Sequence, residues 1–172
     1  MSGSAYREGH YGALMKASAR LGEAREFIAL YDGNATFAAN ASKAQAGRWY
    51  GNASPAVCRE LTRFFSDRFI PIPGHLASLR RFLKLGEDAP LPVLNHFYML
   101  LRDPYYRWAA SDWLPGRMDA GLVEIPRNTF EDDAKRIFSD VLGSTTATRY
   151  CRNILTALRD NGYLSGKASK AI

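Results

Sequence analysis

Residues 129–164, TFEDDAKRIFSDVLGSTTATRYCRNILTALRDNGYL, read as two short helices joined by a tight turn and closed by a glycine. Thr129 offers a hydroxyl cap. Glu131, Asp132 and Asp133 follow where the positive end of a helix favours carboxylates. Phe130, Ala134, Ile137, Phe138 and Val141 recur at helical spacing and predict the buried stripe of the first helix. Gly143 predicts its end, and Ser144 and Thr145 can cap the next. The second helix is expected to reach Asn161 and stop at Gly162, with Ala147, Cys151, Ile154, Leu155 and Leu158 facing inward. Arg149, Arg152 and Arg159 fall on roughly the opposite side, because steps of 3 and 7 residues return to one face at about 100° per residue. A helix, a glycine turn and an arginine-faced helix have the form of a helix-turn-helix, whose second helix reads nucleic acid.

The rest of the chain is predicted to be helical as well. Leu21, Ala24, Phe27, Ile28 and Tyr31 mark the inner face of a helix over 18–31, and Asp32-Gly33-Asn34 is a turn signal. Residues 36–48 are alanine-rich and helical, ending at Gly51-Asn52. Ser54-Pro55 combines a hydroxyl cap with a proline at the first helical position. The helix it starts points Val57, Cys58, Leu61, Phe64 and Phe65 inward and Arg59 and Arg63 outward, until Pro71 and Pro73 end it. Residues 76–85 form a short helix that brings Arg80, Arg81 and Lys84 close together. Residues 91–102 read as a mostly buried helix with little polar face. Asp103-Pro104 starts another, carrying Tyr105, Tyr106, Trp108 and Trp113, which Pro115-Gly116 closes. Residues 122–126 are a short strand or an extended linker. No low-complexity tract interrupts the chain. The default is therefore one all-α domain over residues 1–172, with a possible division near residue 116 into an 18–116 part and a 117–172 part.

Composition narrows the function classes. At 172 residues, 47% hydrophobic and 12% aromatic, the chain is long and apolar enough to bury a core. A net charge of +6 suits a polyanionic partner without proving one. Cys58 and Cys151 are expected to be buried, reduced thiols. Two cysteines without a CxxC pair, and three scattered histidines, do not make a structural zinc site. The start, Met1-Ser2-Gly3-Ser4, lacks an apolar signal core, and no run approaches a membrane span, so a cytoplasmic protein is expected.

No catalytic constellation stands out. Gly162 to Lys167 holds glycines and a lysine, but at the wrong spacing and without a preceding strand for a phosphate-binding loop. Asp133-Ala134-Lys135 has the minimal carboxylate–lysine element of many nucleases, yet a helix's first turns attract acids for dipole reasons alone. His96 reads as a hydrogen-bonded core residue and His75 as a loop residue. We therefore expect no enzyme, no cofactor and no metal.

Binding is the better reading. Arg149, Arg152 and Arg159 form one basic set. Arg59 and Arg63, with Arg48, form a second, and Arg80, Arg81 and Lys84 a third. Arginine forks grip phosphate, which supplies most sequence-independent affinity. Thr145 and Thr148 can touch phosphate or base edges as well as cap, and Lys167 can add a backbone contact from the tail. The aromatic group at 105–113 reads as core packing, with base stacking as the alternative.

Three patches resemble BrxA, a small protein family of the bacterial BREX phage-defence systems. They are Glu23-Ala24-Arg25 ahead of Phe27-Ile28-Ala29-Leu30, Asn52-Ala53-Ser54-Pro55-Ala56-Val57 running on to Arg59, Arg63 and Arg68, and Thr145-Thr146-Ala147-Thr148 through Leu158-Arg159-Asp160-Asn161-Gly162-Tyr163-Leu164. The resemblance implies an all-α protein with helix-turn-helix or winged-helix character, binding double-stranded DNA as a non-catalytic accessory to other BREX components. The alternatives are an RNA-binding helical protein, with Tyr105 or Trp108 stacking on bases, and a protein-interaction subunit that binds no nucleic acid.

Overall fold

Side-chain caps start three of the helices, at Thr36, Ser54 and Asp103. The computed structural model describes residues 17–70, 74–84, 91–122, 124–138, 144–166 and 169–171. The chain is mainly helical. In order, α1 is Leu21–Leu30, α2 Phe37–Ala46, α3 Pro55–Phe69, α4 His75–Leu83 and α5 Leu91–Arg102. Then come α6 Pro104–Trp108, a π-helical turn Ala109–Trp113, and α7 Leu114–Asp119. Strand β1 (Glu124–Pro126) leads into α8 (Arg127–Phe138), α9 (Ser144–Asp160) and β2 (Ser169–Ala171). The predicted end signals at Pro71, Pro73 and Gly143, the stripe residue Val141, and His10 and Lys167 lie outside the described residues.

The packing divides into two compact units. The first is Arg20–Leu94; the second takes in Asn95–Ile172 with the described residues 17–19. Composition suggests a division near residue 116. By packing it falls inside α5, because the aromatic residues of 104–113 belong with α8. Trp113 meets Phe130 edge-on at 4.7 Å, and Trp108 stacks on the same ring at 5.9 Å.

In the first unit α1 packs on α3 and α4, and α2 on α3. Thr36 caps α2 by accepting from the Ala39 N–H, and Ser54 caps α3 by accepting from that of Val57. The core is a phenylalanine cluster: Phe65 lies 5.5 Å from Phe27 and 6.2 Å from Phe69. Arg68, which continues the predicted arginine series of α3, is instead fully buried, its guanidinium 4.2 Å from the Phe64 ring centre. Buried Asn40 accepts from the Asp32 N–H and donates to the Asp32 carbonyl, pinning the predicted 32–34 turn to α2.

In the second unit β1 pairs antiparallel with β2, Ile125 opposite Lys170. Helix α8 packs on both β1 and α9. Two boundaries differ from expectation. Pro115-Gly116 does not close its helix, which continues to Asp119. The Leu114 N–H reaches back five residues to the Ala109 carbonyl, and this widened turn accommodates a proline that has no N–H to give. Helix α8 starts at Arg127, directly after Pro126, so Thr129 is inside it and is not its cap. Exposure also corrects two inward assignments, Val57 at 41% and Ile137 at 40%, and Phe97 of α5 is 56% exposed. With Phe97, Val93 and Leu101 leave one side of α5 apolar and open, where a mostly buried helix is expected from the sequence.

Burial sets a contrast that denaturation can read. Phe130→Ala opens the Trp108–Trp113 seam and costs about 3–5 kcal/mol. Ile137→Ala, from the same predicted stripe, costs less than about 1 kcal/mol. Equal losses in urea denaturation would contradict this packing.

Candidate nucleic-acid interface

The site is built on α9, and the way α9 is held decides which side it shows. Ala147, Cys151, Ile154, Leu155 and Leu158 are all buried, as their spacing predicts, together with Tyr150 and Ala157. Gly162, at φ 87°, ends the helix: its N–H bonds the Arg159 carbonyl, and that of Tyr163 bonds the Leu158 carbonyl. These two bonds are the Schellman arrangement, which uses the left-handed conformation glycine adopts without strain.

Two polar anchors lock the helix about its own axis. The first is Asp103, fully buried at the start of α6. Its Oδ1 accepts from the N–H groups of Tyr105 and Tyr106, at 3.1 and 2.9 Å, and from the Tyr150 hydroxyl of α9 at 2.5 Å. Burial, followed by the neighbouring carboxylate, holds the Tyr150 phenol well above its ordinary pKa, so it stays a donor. The second anchor lies just beyond α9. Asn161 Oδ1 accepts from Asn95 at 2.9 Å, and Asn161 Nδ2 donates to the Tyr106 hydroxyl at 2.8 Å. Tyr106 in turn meets His96 Nδ1 at 2.9 Å, and the Tyr163 ring lies 4.2 Å from that of His96. His96 is therefore a hydrogen-bonded core residue, as its apolar helix suggests.

With its inner side fixed, α9 turns Thr145, Arg149 and Arg152 to solvent, with Thr148 half-buried beside them. Neither Arg149 nor Arg152 has an ion-pair partner among the described residues. Arg159 shares the face, but its Nη2 lies 2.6 Å from Asp160. Two further exposed cations, Lys135 and Arg136, stand near the end of α8. In the sequence Lys135 draws notice only as part of a nuclease element, and Arg136 not at all, although both are basic residues in the last turn before α9.

The other basic sets part company. Arg59 and Arg63 are exposed on α3 in the first unit, Arg63 lying 5.3 Å over the Phe37 ring. The third set does not form a patch. Arg80 turns inward, donating from Nε to the Ile28 carbonyl at 2.9 Å and from Nη2 to the Tyr31 carbonyl, and so closes the end of α1. Only Arg81 and Lys84 remain exposed. The aromatic group is core: Tyr105, Tyr106, Trp108 and Trp113 are all buried, which removes Tyr105 and Trp108 as stacking platforms.

The chain matches no protein-family profile and no curated protein.

Asp133 accepts from Trp113 Nε1 at 2.9 Å and from Arg117, joining α8 to α7 and the π-turn. Both cysteines are free and buried. Burial pushes the Cys151 thiol up to about 11, so it is protonated at neutral pH. Among the described residues no group of three or more potential ligands could hold a metal, and no helix is long and apolar enough to cross a membrane.

The His96 anchor makes stability pH-dependent. The Tyr106 hydroxyl accepts from Asn161 and lies 2.9 Å from His96 Nδ1, and burial of the ring disfavours its charged form. Burial lowers the His96 pKa below 6.5, its ordinary value. As pH falls, the unfolded chain takes up this proton before the folded one does, so the contribution is complete above about pH 6.5 and shrinks below it. The urea midpoint of wild type should fall between about pH 7.5 and about pH 5.5, and His96→Gln should flatten that dependence. Identical profiles would mean that His96 is not the group responsible.

Proposed function

We propose that this chain is a non-catalytic DNA-binding protein, an accessory component of a BREX-type anti-phage system acting in the cytoplasm with other BREX components. The observation that carries the reading is the division of α9 into a fully buried side and a side bearing Thr145, Thr148, Arg149 and Arg152. A helix clamped along one side and cationic along the other presents side chains to a groove without reorganising, and little ordering cost offsets its contacts. The chain order β1–α8–α9–β2, with its two strands paired, is compatible with winged-helix character.

Arg149 and Arg152 take the central role, and Lys135 and Arg136 add phosphate contacts from α8. Arg59 and Arg63 serve as a second basic patch, with Lys167 assigned to the backbone from sequence alone. The resemblance to BrxA supplies the biological setting.

The open side of α5 supports a second reading, in which this chain is a protein-interaction subunit. Contiguous apolar side chains at 45–64% exposure are the kind of surface a protein partner covers. The RNA alternative is left without the stacking residues it calls on.

A salt series separates these readings. Binding to duplex DNA should weaken steeply with added salt, and Arg149→Ala/Arg152→Ala should lower the log–log slope by about 2, close to 0.9 for each phosphate no longer neutralised. Wild-type binding no stronger than that of an unrelated protein of equal charge would favour the protein-interaction reading. A double variant that binds like wild type would move the site off α9.

A further inference from the structure

The last turn of α9 carries an ion pair that capping does not explain. Asp160 is the final helical residue, where the negative end of a helix disfavours a carboxylate. The exposed groups at that end are carbonyls, and an ionised carboxylate has no donor to offer them. Its Oδ1 instead accepts twice from the preceding side chain, from Arg159 Nε at 3.1 Å and from Nη2 at 2.6 Å. Both bonds are charge-assisted. The pair is partly shielded, Arg159 being 36% and Asp160 23% exposed at the side chain. Arg149 and Arg152, on the same face, are exposed and carry no such brake.

We propose that Asp160 restrains the nucleic-acid surface of α9, an inference that rests on the reading of that face given above. A phosphate approaching this end finds two of the five guanidinium N–H groups of Arg159 engaged, their charge offset by the carboxylate, and must sit beside that carboxylate. Arg159 therefore adds little to sequence-independent affinity, and binding rests on the first half of the helix, at Thr145, Thr148, Arg149 and Arg152. A weaker hold on arbitrary backbone leaves a larger share of discrimination to side chains that can touch base edges. Asp160 is in this sense a specificity-determining residue that works by repulsion.

The test compares the intact wild-type chain with Asp160→Asn and Asp160→Asn/Arg159→Ala in a salt series on a short mixed-sequence duplex. Asparagine keeps the shape and removes a charge the helix end disfavours, so the variant should melt no lower than wild type. Asp160→Asn should bind about threefold or more tighter at low salt, with a log–log slope steeper by about 0.9, and Arg159→Ala should abolish that gain. Affinity and slope equal to wild type, or a gain that survives the loss of Arg159, overturns the restraint. If Arg149→Ala/Arg152→Ala weakens binding while Asp160→Asn changes nothing, only the restraint falls. If wild type binds no better than a protein of equal charge, the reading of α9 falls and the restraint with it.

Discussion

A single buried carboxylate organises the second unit. Asp103 ends the run from α5, caps α6 through two backbone N–H groups, and accepts the Tyr150 hydroxyl from the middle of α9. Each of those donors, left without an acceptor in a buried site, costs about 1–3 kcal/mol, so the carboxylate and its partners fix one another. Apolar burial alone would tolerate some rotation of α9 about its axis. A hydrogen bond at Tyr150 and another at Asn161 do not, because both must be met at once. The exposed arginine side is the consequence of that constraint.

The same arrangement clarifies the chemistry. Asp133 is committed to Trp113 and Arg117, His96 to Tyr106, and Cys151 to a buried position with its thiol protonated. The cations of α9 and the end of α8 are at the surface, with Arg159 held by Asp160 and Arg136 3.8 Å from Asp133. A rigid helix with solvated cations on one side is suited to recognising a polyanion, and its specificity then depends on which cations are available. Arg159 and Asp160, adjacent in sequence, are the point at which that availability is set.

Much of this is legible in the sequence because its causes are local. Ser54-Pro55 and Asp103-Pro104 announce α3 and α6 with caps that the structure uses, and Gly162 closes α9. The stripe of α9 is correct residue by residue, since a strong helical period names an inner side without knowledge of its partner. The failures have non-local causes. Tyr150 and Asp103 are 47 residues apart, and Arg80 lies 52 from the carbonyl of Ile28 that it caps, so no window of sequence pairs them. Periodicity also cannot tell how far a neighbour covers an apolar side, which is why spacing points Val57 and Ile137 inward although both are exposed. At the candidate site the arginines are legible, but the restraint on Arg159 is not, because Asp160 is an ordinary residue until its side chain is seen on the guanidinium.

The most direct measurement is a map of backbone amide shifts on the isotope-labelled chain as duplex DNA is added. The largest changes should fall at Thr145, Thr148, Arg149 and Arg152, with small ones at Ala157 and Leu158 on the buried side. Changes centred on Phe97 and Leu101 of α5, or no changes along α9, would contradict a DNA-reading role for that helix.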